Sequence, residues 1–229
     1  AVEDCSRHLV LLAELQYRAR WWATPNNNRD WFLNNKKRYE LFKKDYHQLV
    51  GSFLDAMKPL DPSLELLEIK NCTFRINRDI RFSKDKTPYK AHFANSFSRL
   101  GKELRGGYFL RIRPGESFLA GGFWEPNKED LFRIRKEIEL DASEIKNILK
   151  DEKFLKHFEG KFKSLTELKT APRGFDKEHP DVNLLRKKGF IASRNFTDAE
   201  VLSPNFINSV DESFKALRPF FNLFSDILT

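Results

Sequence analysis

The chain has 229 residues, a formal net charge of +8 at pH 7, 40% apolar residues and 22 Phe. That length and apolar share exclude an intrinsically disordered chain and suffice for a real core, while the positive balance favours polyanions and phosphorylated ligands without choosing among them. Cys5 and Cys72 make no metal-ligand or redox spacing, and the apolar run from Leu9 to Ala13, ended by Glu14, is too short for a signal-peptide core or a membrane span. The expectation is a soluble, cytoplasmic protein with reduced thiols and no membrane partner.

In chain order, residues 1–25 read as a helical arm, with Leu9, Leu12, Leu15 and Ala19 on one side and Trp21, Trp22 and Pro25 at its end. Asn26, Asn27 and Asn28 make a polar turn, and Asn28 suits the N-cap of a helix running from Arg29 to about Met57. Along that helix Trp31, Phe32, Tyr39, Phe42, Tyr46, Leu49, Phe53 and Met57 recur every three or four residues, a stripe fit to lie on a sheet. Pro59 and Pro62 end it.

Beyond Leu64 the apolar period shortens to two. Cys72, Phe74 and Ile76 alternate with polar neighbours as in a half-buried strand. Phe93 to Leu100, Tyr108 to Arg113 and Ser117 to Trp124 follow as further strands, the last two joined at Pro114-Gly115, so antiparallel hairpins are expected. Pro126 opens a helix over 127–139, and Asp141 with Glu144 suggests a capping box for another reaching Lys150. Residues 151–170 read as a helix and then an extended link. Pro180 opens a helix ending at Gly189, and 190–194 form a short strand. Ser203-Pro204 starts a final helix in which Phe206, Val210, Phe214, Leu217, Phe221 and Phe224 repeat at helical spacing.

The expected fold class is therefore α+β. An antiparallel sheet of hairpins over about 72–124, with the short strand near 190–194, is flanked by N- and C-terminal helices; 26–229 form one domain and 1–25 an arm.

The stretch from Cys72 to His92 is not explained by core-building. Arg75, Arg78, Arg81, Lys84, Lys86 and Lys90 stand against only Asp79 and Asp85, and Pro88 with the lack of helical period marks a strand running into a turn. Arginines three apart share no face of a regular strand, so a bend near Asn77-Arg78-Asp79 is needed to bring them together. Forked guanidinium contacts would then hold a phosphate or carboxylate, with the Ser83 to Thr87 turn completing a cradle and Tyr89 and Lys90 on the return leg. The bland reading is that Arg78, Asp79, Arg81 and Asp85 pair with one another and pin the turn. Two carboxylates cannot neutralise six cations, so further acids or a ligand must supply the remainder.

Proton-transfer groups are scarce. His92 has a suitable titration range, although a lone histidine after a basic turn is more often structural; Asp79 would have its basicity depressed by the surrounding cations. From Ala171 to Asp181, Arg173 adds a cation, while Asp176, Glu178, His179 and Asp181 resemble metal ligands but are better explained by a turn and a helix start at Pro180, or as partners of the central arginines. No metal or cofactor is expected. Gly121-Gly122 suggests close approach of another backbone or of a ligand, and Phe123 and Trp124 suit core packing better than base stacking. Phosphate-loop, zinc-protease, Cys-x-x-Cys and nucleophile-elbow signatures are missing, which disfavours enzyme classes with local motifs.

The runs Asn-Asn-Asn-Arg-Asp-Trp-Phe (26–32) with Asn35, Lys36 and Tyr39, Phe-Arg-Ile-Asn-Arg-Asp-Ile-Arg-Phe-Ser-Lys-Asp-Lys-Thr-Pro-Tyr-Lys (74–90), Gly-Gly-Phe-Trp-Glu-Pro (121–126) and Ala-Pro-Arg-Gly-Phe-Asp (171–176) closely resemble the conserved-hypothetical family called domain of unknown function 2461, over about residues 26–228. Residues 1–25 depart from it. The resemblance implies a single soluble intracellular domain and no assigned reaction or cofactor. Its signature positions fall on Arg75, Arg78, Asp79, Arg81, Phe82, Ser83, Lys84, Asp85, Lys86, Pro88, Tyr89 and Lys90, and later on Arg173, Phe175 and Asp176.

Three functions are compatible with these residues. The first is a binding module whose anionic ligand, nucleic acid among the candidates, meets Arg75, Arg78, Arg81, Ser83, Lys84, Lys86, Tyr89, Lys90 and Arg173. The second is an enzyme in which arginines orient a small anion and Asp79 or His92 moves a proton. The third is a structural or protein-interaction role in which the charged motif is an internal salt-bridge network.

Overall fold

In the computed structural model, which describes residues 26–99 and 106–229, the first helix starts where its cap allows. The Asn28 side chain accepts a hydrogen bond from the Trp31 amide at 2.9 Å and opens α1 (Arg29–Asn34). The single long helix expected from Arg29 is broken at Asn35, whose side-chain amide donates to the Trp31 carbonyl at 2.9 Å and whose backbone leaves the helical region before α2 (Lys36–Met57) begins. A short polar side chain that offers the backbone a rival partner is a local reason for such a break. The helical arm expected over 1–25 lies outside the described residues.

The strand expected over 72–76 is corrected. Ile69–Cys72 form a short helix, α3, and the Cys72 thiol lies 3.4 Å from the Glu68 carbonyl, one helical turn back. From Thr73 to His92 the chain is irregular, touching strand pairing only at the isolated antiparallel bridges Thr73 to Asn95 and Asn77 to Tyr89. The alternation misled because Cys72 is buried while Phe74 is half exposed, so the two do not share an inward face.

The four strands β1 (Phe93–Ser98), β2 (Gly107–Ile112), β3 (Ser117–Phe123) and β4 (Phe190–Phe196) form one antiparallel sheet in the order β1-β2-β3-β4. Helices α4 (Lys128–Leu140), α5 (Ser143–Lys150), α6 (Glu152–Phe158) and α7 (Val182–Leu185) lie in the connection from β3 to β4, and α8 (Asp198–Val201) and α9 (Phe206–Leu228) follow β4. The result is an α+β domain with helices flanking the sheet. Asp141 makes no capping box with Glu144; its carboxylate takes the Ser143 amide and hydroxyl, both at 2.8 Å. A true box closes at Thr197 and Glu200. The helix expected from Pro180 to Gly189 shrinks to α7, because Lys187 leaves it for an antiparallel bridge with Glu167.

The described residues group into two bodies, and the division runs through all four strands and α9. In the first (26–97, 109–119 and 195–211), α2 buries Phe42, Tyr46, Leu49, Val50, Phe53, Leu54 and Met57, with Phe42 and Tyr46 packing on Phe93 at ring separations of 4.7 and 5.3 Å. In the second, the core is aromatic: Phe214 and Phe221 meet the Tyr108 ring edge-on, and Phe220, Phe221 and Phe224 surround Phe123. Gly122 is required there, since a Cβ at its φ of +149° would fall 2.1 Å from the Phe190 carbonyl oxygen. Gly122 therefore marks a close backbone approach, Gly121 makes room for the Leu217 and Phe221 side chains, and Phe123 is core. Among the described residues, no helix is long and apolar enough to cross a membrane.

Candidate functional site

The segment between α3 and β1 doubles back on itself. The amide of Arg78 donates to the Pro88 carbonyl and that of Lys90 to the Ile76 carbonyl, each at 2.9 Å, which closes a hairpin-like loop without regular strands. Asn27 clamps its return leg: the side-chain amide donates to the Tyr89 carbonyl at 2.9 Å and its oxygen accepts from the Tyr89 amide at 3.0 Å, as a neighbouring strand would. The buried Tyr89 ring stacks on Phe32, with centroids 4.7 Å apart.

Arg78 is the internal brace of this loop. Its guanidinium donates to the Asp85 carboxylate at 2.5 Å, to the Thr87 carbonyl at 3.1 Å and to the Ser83 hydroxyl at 3.3 Å, and also reaches the Thr87 hydroxyl. Arg81 lies against Asp79 in a forked pair at 2.9 and 2.6 Å. Those hydrogen bonds hold Asp79 below the usual carboxylate range; Asp85 is held down chiefly by the Thr87 amide and hydroxyl, then by Arg78. Asp79 is thus a poor base. Arg75, Arg78 and Arg81 are not gathered on one anion position: two of the three are engaged by the loop's own carboxylates.

Arg75 belongs to a cleft of about 580 Å³ in the first body, a size typical of small-molecule sites. Its walls come from α2 (Tyr39, Phe42, Lys43, Tyr46, His47), from the loop (Thr73, Phe74, Arg75, Ile76, Asn77, Lys90, His92), and from Lys70, Phe93, Ala94 and Phe109. Among these described lining residues none is Asp or Glu. Lys70 pairs with Glu68 at 2.6 Å, but no described carboxylate lies within 4.0 Å of Lys43, Arg75 or Lys90. Lys90 donates instead to the Arg75 carbonyl at 2.9 Å and sits 5.3 Å from the centroid of Phe74.

The titration of the lining groups reports burial first and neighbouring positive charge second. Burial pushes His92 down to about 4, and Arg111, Lys90 and Arg113 add to the effect against a small opposing pull from Glu116. Lys90 is lowered by burial and then by Arg75, and His47 by burial and then by Lys43. Burial raises the Tyr46 phenol, whose hydroxyl donates to the Ala94 carbonyl at 2.9 Å and touches the Asn95 side-chain oxygen. At pH 7 both imidazoles are neutral, so the cleft offers Lys and Arg charge beside uncharged donors and acceptors and an aromatic floor.

Of the residues singled out in the sequence, Arg75, Lys90 and His92 line this cleft. Arg78, Arg81, Ser83, Lys84, Lys86 and Tyr89 belong to the loop beyond it. Lys86 donates to the Ile80 carbonyl at 2.9 Å, and Lys84 is exposed. Arg173 is an exposed residue of the second body, where Asp181 pairs with Lys146 at 2.7 Å, Asp176 accepts from the Glu178 amide at 2.9 Å and the His179 ring accepts from the Asp181 amide at 3.1 Å. These acids are engaged locally. Sequence reasoning missed Lys43 and His47 and read Tyr39 only as part of the apolar stripe; the spacing of four that joins the three along α2 is the signal that could have found them.

The chain matches the family model described as "Conserved hypothetical protein (DUF2461)" over residues 23–223. No curated protein and no solved structure matches it.

Proposed function

We propose that this chain, which belongs to the DUF2461 family of conserved hypothetical proteins, is a binding protein for a small anion carrying a planar apolar group, held in the cleft between α2 and the 73–92 loop. The observation that carries the reading is the mismatch of charge within the cleft: Lys43, Arg75 and Lys90 have no described carboxylate within ion-pairing distance, and no described lining residue is acidic. Lys90, half-buried and lowered by burial and then by Arg75, gains from an incoming phosphate or carboxylate, as do the exposed Lys43 and Arg75 beside it. Phe42, Phe74, Phe93 and Phe109 supply flat apolar contact for the remainder of the ligand.

Arg75 provides the fork that matches a phosphate or carboxylate edge, and Lys90 and Lys43 act as point charges. Asn77, Thr73 and the neutral His92 offer orienting hydrogen bonds. Of the two proton-transfer candidates, only His92 lines the cleft. A catalytic version of the reading would therefore run through its imidazole and not through Asp79.

Calorimetric titration with phenyl phosphate, inorganic phosphate and benzylamine tests the assignment. Phenyl phosphate should bind at least tenfold more tightly than inorganic phosphate, and benzylamine should not bind. Arg75→Ala and Lys90→Ala should each weaken phenyl phosphate binding by roughly tenfold or more, in line with loss of a charged hydrogen-bond partner. Equal binding of the amine and the phosphate, or unchanged affinity in both variants, would overturn the reading.

A further inference from the structure

We infer that the loop from Arg78 to Thr87 is a second recognition surface, distinct from the cleft, and that its ligand is single-stranded nucleic acid. The starting observation is Phe82, which is 94% exposed at the outer end of a loop that is otherwise cross-braced. Arg78 ties the two legs together through Asp85, Thr87 and Ser83. Asp79 accepts from both the amide and the guanidinium of Arg81. Lys86 spans back to the Ile80 carbonyl, and Asn27 fixes the base at Tyr89. The ring is thus displayed by a built support, not left out of a core by local disorder.

The surroundings of Phe82 determine which ligand fits. The Arg81 guanidinium carbon lies 5.8 Å from the ring centroid, on one side of the ring. Lys84 and Lys86 are exposed, and neither has a described carboxylate within 4.0 Å. A solvent-facing aromatic ring followed within four residues of chain by two ammonium groups without a described carboxylate partner matches the repeat unit of a nucleic-acid strand, in which a flat base and a phosphate alternate. Stacking needs the open face of an unpaired base, which a duplex does not present. A lipid surface is the poorer fit, because one ring offers little apolar area to bury. An acidic peptide would match the lysines but leave the ring unused.

The surface can be tested by fluorescence anisotropy of the 229-residue chain with a fluorescein-labelled oligothymidine of about twelve nucleotides and with the same strand in a duplex, at about 50 to 200 mM NaCl. The single strand should bind more tightly than the duplex, with a log-log salt slope of about −1.4 from two phosphate contacts. Phe82→Ala should weaken binding about 5- to 100-fold while Phe82→Trp retains it, as expected for stacking. Lys84→Ala combined with Lys86→Ala should flatten the salt slope, and Arg75→Ala in the cleft should leave oligonucleotide binding unchanged. Because the Phe82 ring lies almost wholly in solvent, circular dichroism melts of Phe82→Ala and Phe82→Trp should superimpose on the parent. The inference is overturned if the oligonucleotide does not bind at 50 mM NaCl, if Phe82→Ala binds it as the parent does, or if Phe82→Ala instead abolishes flotation on vesicles of phosphatidylcholine and phosphatidylserine. Because Arg75→Ala and Phe82→Ala separate the two surfaces, failure here leaves the cleft untouched, and failure of the cleft leaves this loop untouched.

Discussion

His92 shows how one residue records its surroundings. Its imidazole is held near 4, well below the ordinary 6.5, by burial first and by Arg111, Lys90 and Arg113 after it. The unfolded chain therefore takes up a proton between those two values that the folded chain refuses, so folding stability falls as pH drops through that window. His92→Gln should consequently lose less of its melting temperature than the parent between pH 6.5 and 4.5, although His47, also lowered, leaves some slope. An anion in the cleft acts in the opposite sense by favouring the imidazolium. Sulfate, which keeps its charge across this range, should accordingly bind more tightly as pH falls from 7 to 5, and calorimetry at the two values reads the change. Asn27 illustrates a different economy. Its side chain replaces a strand partner for Tyr89, so Asn27→Ala leaves a donor and an acceptor of a partly buried backbone unmatched and should lower stability by about 1 to 3 kcal/mol in urea unfolding.

At the scale of elements, the regular parts were legible because their chemistry is local. The stripe on α2, the cap at Asn28, the three strands from Phe93 to Phe123 and the phenylalanine-rich α9 are each written in spacing that one element can satisfy alone. The irregular parts were not. Cys72, Phe74 and Ile76 carry strand alternation, yet only Thr73 finds a bridge to β1 among those neighbours; pairing is a property of the partner as much as of the segment. Asp141 follows the same rule: spacing suggests a box with Glu144, but its two carboxylate oxygens are taken by the Ser143 amide and hydroxyl. Two substitutions test the element-level account. Gly122→Ala forces a methyl group against the Phe190 carbonyl and should cost at least about 2 kcal/mol of stability by thermal unfolding. Arg78→Ala removes the loop's brace while leaving the helices and sheet intact. Hydrogen exchange of the amides from Ile80 to Thr87 should speed up at least tenfold, with the α2 amides unchanged.

For the whole molecule, a net charge of +8 says only that anions are attracted; where they would settle depends on which cations the fold leaves without a counter-charge. The six-cation motif was visible in the sequence, but the bend expected near Asn77-Arg78-Asp79 does not gather its arginines on one anion position. What spacing could not show is that Arg78 and Arg81 are taken by the loop's own acids, while Arg75 and Lys90 share a cleft with Lys43 and His47 from a helix roughly thirty to fifty residues earlier in the chain. Contact between segments that distant is fixed by packing and carries no local signature, which is why half of the cleft went unread. The most direct test of its assignment is crystallographic. Crystals grown with selenate, a sulfate mimic located by its anomalous scattering, should show an occupied peak in the cleft within hydrogen-bonding distance of Arg75 and Lys90, and an Arg75→Ala crystal should lack it. A cleft empty of anomalous signal at saturating selenate, with peaks only at other surface lysines and arginines, would contradict the account.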